Sequence, residues 1–151
     1  MVDKKQQKDM FIGTKNFSRA EFEYSYTANK YKIDNTLPVS LESQAQRLLI
    51  FLQGIRDAWG SGIKITSGYR CEKLNRLIGG SATSSHMTAN GVDLVPANGK
   101  MNEFKKFIVD YMKTCIFDQC IIEKSGKTEW IHIGLYNAKG QQRRMIFNII
   151  K

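Results

Sequence analysis

At 151 residues and 42% hydrophobic content, the chain is long enough to bury a core without disulfide or metal staples. Its 23 Lys and Arg against 14 Asp and Glu give a formal charge of +9, which favours a polyanionic partner: nucleic acid, an anionic lipid surface or an acidic wall polymer. Three cysteines without framework spacing (Cys71, Cys115, Cys120) exclude a disulfide scaffold and read as free thiols.

Residues 1–15 are polar and basic and read as a flexible arm with Phe11 and Ile12 as its only anchor, leaving 16–151 as a single domain. The opening stretch lacks the apolar core of a signal peptide and no later run reaches transmembrane length, so the chain is expected to be made in the cytoplasm, without membrane insertion, and as a monomer. Any substrate outside the membrane would then need another factor to deliver the protein.

Ser18 and Glu21 form a capping box ahead of a helix whose apolar side carries Phe22, Tyr26 and Ala28. After Asn35 to Pro38, a helix of about twenty residues repeats Ala45, Leu48, Leu49, Leu52, Ile55 and Trp59 at three- and four-residue steps, and Gly60 and Gly62 stop it. Ile63 to Thr66 alternates like a half-buried strand and leaves Arg70 at a strand end; a short helix from Cys71 to Ile78 closes at Gly79-Gly80. A Ser/Thr-rich loop leads to a strand over Val92 to Val95, and Met101 to Met112 forms a second amphipathic helix. Asp118 to Glu123, Glu129 to Leu135 and Arg144 to Ile149 read as three strands pairing antiparallel, the first two joined by the turn Lys124-Ser-Gly-Lys.

Both histidines of the chain border strands and lie beside acidic residues. His86, Asp93 and His132 offer two imidazoles and a carboxylate, a ligand set that leaves the fourth tetrahedral position of a catalytic zinc free for water. Each alone has a plainer reading: His132 as a hydrogen-bonded strand residue, His86 as loop polarity, Asp93 as the end of the Asn-Gly turn. Alternation puts Asp93 on the face opposite Val92 and Leu94, and puts His132 opposite Ile131 and Ile133, so both can face an open groove. Glu129 is the nearest candidate for a general base, but a regular strand sets it opposite His132 and only a bulge or twist would turn it inward. Arg70 suits an oxyanion through its permanent charge, or is an ion-paired surface residue, and Ser84 reads as a cap of its loop.

Taken together, Ser67-Gly-Tyr-Arg70, Asn75, Gly79-Gly80-Ser81, Ser84-Ser85-His86, Gly91-Val-Asp93 and Glu129-Trp-Ile-His132 resemble the zinc D-Ala-D-Ala carboxypeptidase family of peptidoglycan peptidases, in its compact, phage-lysin-like type. The resemblance implies an α+β fold with a mainly antiparallel sheet flanked by helices, of the kind shared with hedgehog signalling domains. It implies Zn2+ on His86, Asp93 and His132, Glu129 as general base, and Arg70 and Ser84 on the scissile amide or its oxyanion. It also implies bacterial peptidoglycan peptides as substrate, cut by a D,D-carboxypeptidase or an endopeptidase. Because zinc and a carboxylate already account for nucleophile and base, Cys71, Cys115 and Cys120 are expected to be dispensable for the chemistry. The chain departs from the family pattern in one place: the glycine usual three or four residues after the first histidine is absent, and the next one is Gly91. Two other readings compete. One is a non-catalytic zinc module on the same scaffold; the other is a nucleic-acid binder, prompted by the charge and by Lys139 to Arg144 but lacking a recognisable motif.

Overall fold

The computed structural model describes residues 11–151, so the expected arm falls outside the described residues up to Met10. Its last residues are held: Phe11 packs against the core and Thr14 is buried, its hydroxyl donating to the Phe11 carbonyl at 2.8 Å, whereas Ile12 is exposed.

Ser18 caps α1 (Arg19–Glu23) by accepting the Glu21 N–H at 3.1 Å, as the capping box requires. The helix does not continue to Ala28. Ser25 accepts the Ala28 N–H and starts a separate helix, α2 (Tyr26–Lys30), because a second cap competes with the backbone for the same donors. The break leaves Phe22 and Ala28 buried and turns Tyr26 out to solvent. A 3-10 turn at Val39–Leu41 then opens α3 (Glu42–Trp59), whose Ala45, Leu48, Leu49, Leu52 and Ile55 are all buried. Gly60 ends α3 in the left-handed conformation at φ 76°. After α4 (Glu72–Leu77) comes α5 (Met101–Met112), which buries Phe104, Ile108 and Met112 and meets Trp59 edge-on through Phe104 at 5.1 Å. Each such large apolar side chain contributes on the order of 2 kcal/mol, so this seam is a main source of stability.

Five strands form one sheet: β1 (Ile63–Ser67), β2 (Gly91–Pro96), β3 (Gln119–Ser125), β4 (Thr128–Gly134) and β5 (Met145–Ile150), in the order β1-β2-β4-β3-β5. The fold is α+β as expected, but the sheet is mixed rather than mainly antiparallel, since β5 lies parallel to β3. Strands joined by a tight turn must run antiparallel; residues 135–144 are long enough to carry the chain past β3 and lay β5 on its far side. Val92, Leu94, Ile131, Ile133 and Cys120 face the helices and close the core, leaving the other sheet face to Asp93, His132 and Ile121. Among the described residues no helix is long and apolar enough to cross a membrane.

Candidate metal centre

The site is built on one cross-strand row. Asp93 of β2 pairs with His132 of β4, which pairs with Ile121 of β3, and alternation sends all three side chains away from the helices. His86 arrives from above, on a 3-10 turn (Ser85–Thr88) that Ser84 caps by accepting the His86 N–H. Close approach of this turn to the sheet requires Gly91: a Cβ there would sit 2.2 Å from Ser85 Oγ and 3.0 Å from His86 N. The loop before it is moored by buried Asn75, whose carbonyl accepts the Gly80 N–H at 2.8 Å and whose Nδ2 donates to the Ser81 carbonyl at 2.9 Å.

His86 is 2% exposed and its Nδ1–H donates to the Gly68 carbonyl at 2.7 Å, which fixes the ring and turns Nε2 toward Asp93 Oδ1, 3.3 Å away. His132 Nδ1 lies 2.9 Å from the same oxygen, and its Nε2 meets Ser85 Oγ at 3.3 Å. The donor atoms of the three residues fall within 4.8 Å of one another. Burial opposes the charged form of Asp93, but the His86 charge and the hydrogen bonds of both imidazoles outweigh it and hold the carboxyl well below its usual range. Two oriented imidazoles around an ionised carboxylate fit a divalent cation that accepts nitrogen and oxygen.

The expected base does not join this group. The β3–β4 register is unbroken from Gln119↔Gly134 to Ser125↔Thr128, so no bulge turns Glu129 inward. Its carboxylate lies on the helix side, 2.7 Å from Lys105 Nζ of α5, and that hydrogen bond lowers its pKa. The acid that does face the site is Glu123, missed in the sequence. It pairs with Trp130, lies two residues along β3 from Ile121 on the same face, and accepts the Trp130 indole N–H at 2.6 Å. Alternation through the hairpin, once Ser125 and Thr128 are seen to flank its turn, would have found it.

Glu123, Arg70, Ser84 and the three candidate ligands line a common cavity of about 700 Å³. Arg70 Nη2 lies 3.4 Å from Ser84 Oγ, while its Nε is buried without a partner. Burial lowers the Arg70 pKa and the charges of Asp93 and Glu123 work against that, so a guanidinium faces the cavity with a donor to spare. Arg70 is placed by another residue that sequence reasoning missed. Asn35 is buried, donates to the Glu23 and Tyr69 carbonyls and accepts the Cys71 N–H at 2.8 Å, pinning the turn that carries Arg70. No cysteine lines the cavity; Cys71 Sγ accepts the Leu74 N–H at the start of α4, and burial pushes the Cys120 thiol up to about 12.

A search among curated proteins finds no match to the chain. The family model described as Peptidase M15 matches residues 15–134, a span that contains Arg70, Ser84, Glu123 and the whole His86–Asp93–His132 cluster. The chain therefore belongs to the M15 peptidases, the zinc D-Ala-D-Ala carboxypeptidase family whose members act on peptidoglycan peptides.

Proposed function

We propose that the protein is a zinc peptidase that cuts within peptidoglycan stem peptides, with His86 Nε2, Asp93 and His132 Nδ1 as the zinc ligands. The observation that carries this reading is the convergence of those three donors on the floor of the cavity. When bound, zinc would polarise the scissile carbonyl and make water a competent nucleophile at neutral pH. Glu123, oriented by the Trp130 indole, takes the proton of the attacking water and passes it to the leaving amine. Arg70 and Ser84 donate to the carbonyl oxygen as negative charge gathers on it. Cleavage inside the peptide, rather than removal of one terminal residue, is supported by a cavity that continues past the ligands on both sides, from Arg70 to Lys139 and Arg143.

Digestion of purified peptidoglycan, followed by mass spectrometry of the released ends, tests this directly. New ends inside the stem peptide are expected, abolished by a chelator and restored by zinc. Release of only a terminal D-Ala would make it a carboxypeptidase, and no chelator-sensitive product at all would remove the peptidase reading.

A further inference from the structure

The cavity has a cationic residue at each end, and sheet order explains why. β1 and β5 are the two edges, while β2 and β4, which carry Asp93 and His132, lie between them. Arg70 follows β1 on one side; residues 135–144, beyond the family match at 15–134, lead into β5 on the other. This second wall is a fixed structure. Asn137 ties it into a tight turn: its Oδ1 accepts the N–H groups of Lys139 (3.0 Å) and Gln141 (2.8 Å), and its Nδ2 donates to Gln141 Oε1 at 2.9 Å. Lys139 projects from that turn, exposed and without an ion-pair partner among the described residues.

Arg143, further along, is aimed by Asp118. That carboxylate is 3% exposed and accepts Arg143 Nε at 2.7 Å, Nη2 at 3.0 Å and the backbone N–H at 3.2 Å. Nη1 has no partner among the described residues, and the side chain lines the cavity. Asp118 balances the charge of Arg143 while fixing its donors in place, and Lys139 supplies the net positive charge.

We propose that Lys139 and Arg143 form an anion subsite for a free carboxylate of the substrate, on the side of the cut bond away from Arg70. A planar guanidinium held along one edge offers its remaining N–H groups to a carboxylate and discriminates it from the uncharged amide of the same shape. The preferred substrate is then a peptide with a free carboxylate on the side of the scissile bond away from Arg70. This inference rests on the peptidase reading above.

The test uses zinc-loaded protein, the stem pentapeptide with all its carboxylates free, and versions in which one carboxylate at a time is a primary amide. Wild type, Arg143→Gln and Lys139→Ala are compared by KM and kcat, with zinc content and thermal midpoint measured on each. In wild type, amidation of one carboxylate on the far side should raise KM by about tenfold, the scale of one charge-assisted hydrogen bond. In both variants that penalty should fall toward one. Lys139→Ala, which removes an exposed side chain, keeps the test open if Arg143→Gln folds poorly. An absent penalty in wild type, or one undiminished in the variants, overturns the subsite, as does an equal loss on every peptide, which would mark a merely structural wall. Failure of wild type to cut any of the peptides would instead bring down the peptidase reading and this inference with it.

Discussion

The two faces of the β3–β4 hairpin hold one glutamate each, and the contrast between them separates packing from chemistry. Glu129 points toward α5 and ends in an ion pair with Lys105; Glu123 points the other way, beside Trp130, into the cavity of His86, Asp93 and His132. Both are acids near a histidine in sequence or register, so residue type cannot tell them apart. Strand parity can, because a carboxylate on the wrong face is a sheet's thickness from the reacting atoms.

The sharpest way to break this comparison is to substitute each in turn. Glu123→Gln keeps shape but cannot take a proton, so turnover should fall by roughly a hundredfold or more with metal content unchanged. Glu129→Gln should leave turnover within about threefold of wild type, since it loses only a part-exposed ion pair. The reverse outcome, measured as turnover per metal-loaded molecule, would mean that the hairpin rearranges and that Glu129 is the base after all.

A second difference between the faces is how they are held. The helix face closes on hydrocarbon, whereas the cavity face depends on backbone approaching backbone at Gly91. In Gly91→Ala the Ser85 hydroxyl can rotate away from the new methyl, but His86 N and the Ser85 carbonyl carbon, each at 3.0 Å, are backbone and cannot. The turn must lift and carry His86 with it. We expect a stability loss of about 1–3 kcal/mol together with metal binding weakened by about tenfold or more. Chemical unfolding of the metal-free protein reads the first arm and calorimetric titration of zinc the second; unchanged stability and affinity would show that the turn does not press on the sheet.

Asp118 is the acid that braces the cavity wall through Arg143. Burial disfavours its charge, but the Arg143 hydrogen bonds prevail and its pKa is lowered. A carboxylate depressed on folding adds stability that is fully present above its unfolded pKa, near 3.9, and is lost as pH falls through the lower folded value. Metal-free wild type should therefore unfold a few degrees above Asp118→Asn at pH 7 and at pH 5, and the gap should close between pH 4 and the acid limit. A gap that persists to the lowest pH at which both fold would assign the contribution to shape rather than charge.

Much of this was readable from the chain. The periodicity of Leu48, Leu49, Leu52 and Ile55 marked α3, the Met101–Met112 pattern marked α5, and the scarcity of histidine singled out His86 and His132. Three features were not readable, for separate physical reasons. Ser25 splits the first helix because a local cap leaves no trace in apolar periodicity. β5 pairs parallel because nothing local in residues 135–144 records which strand lies at the end of the connection. Glu123 as the cavity-facing glutamate of the hairpin is not visible in the sequence because spacing along the chain does not give position across the sheet, which only the register shows.

The smallest predicted effect concerns the departure from the family pattern. The glycine usual after the first histidine is missing, yet the backbone still turns as if it were there: Ala89, three residues after His86, sits at φ 57° and is fully buried. Left-handed backbone costs an L-residue about 1–2 kcal/mol, which Ala89→Gly would relieve. Against this, glycine gives up a buried methyl worth about 0.8 kcal/mol and leaves the unfolded chain freer by about 0.5–1 kcal/mol. The terms nearly cancel, so the substitution should change stability by less than about 1 kcal/mol. Ala45→Gly supplies the contrast, since Ala45 is equally buried but helical within α3 and has no strain to release. It should cost about 2 kcal/mol from lost helix propensity and lost burial combined. Chemical unfolding of both variants measures the difference between two alanines that exposure alone cannot distinguish, and an equal loss at the two positions would mean that the turn carrying His86 does not pass through the left-handed region.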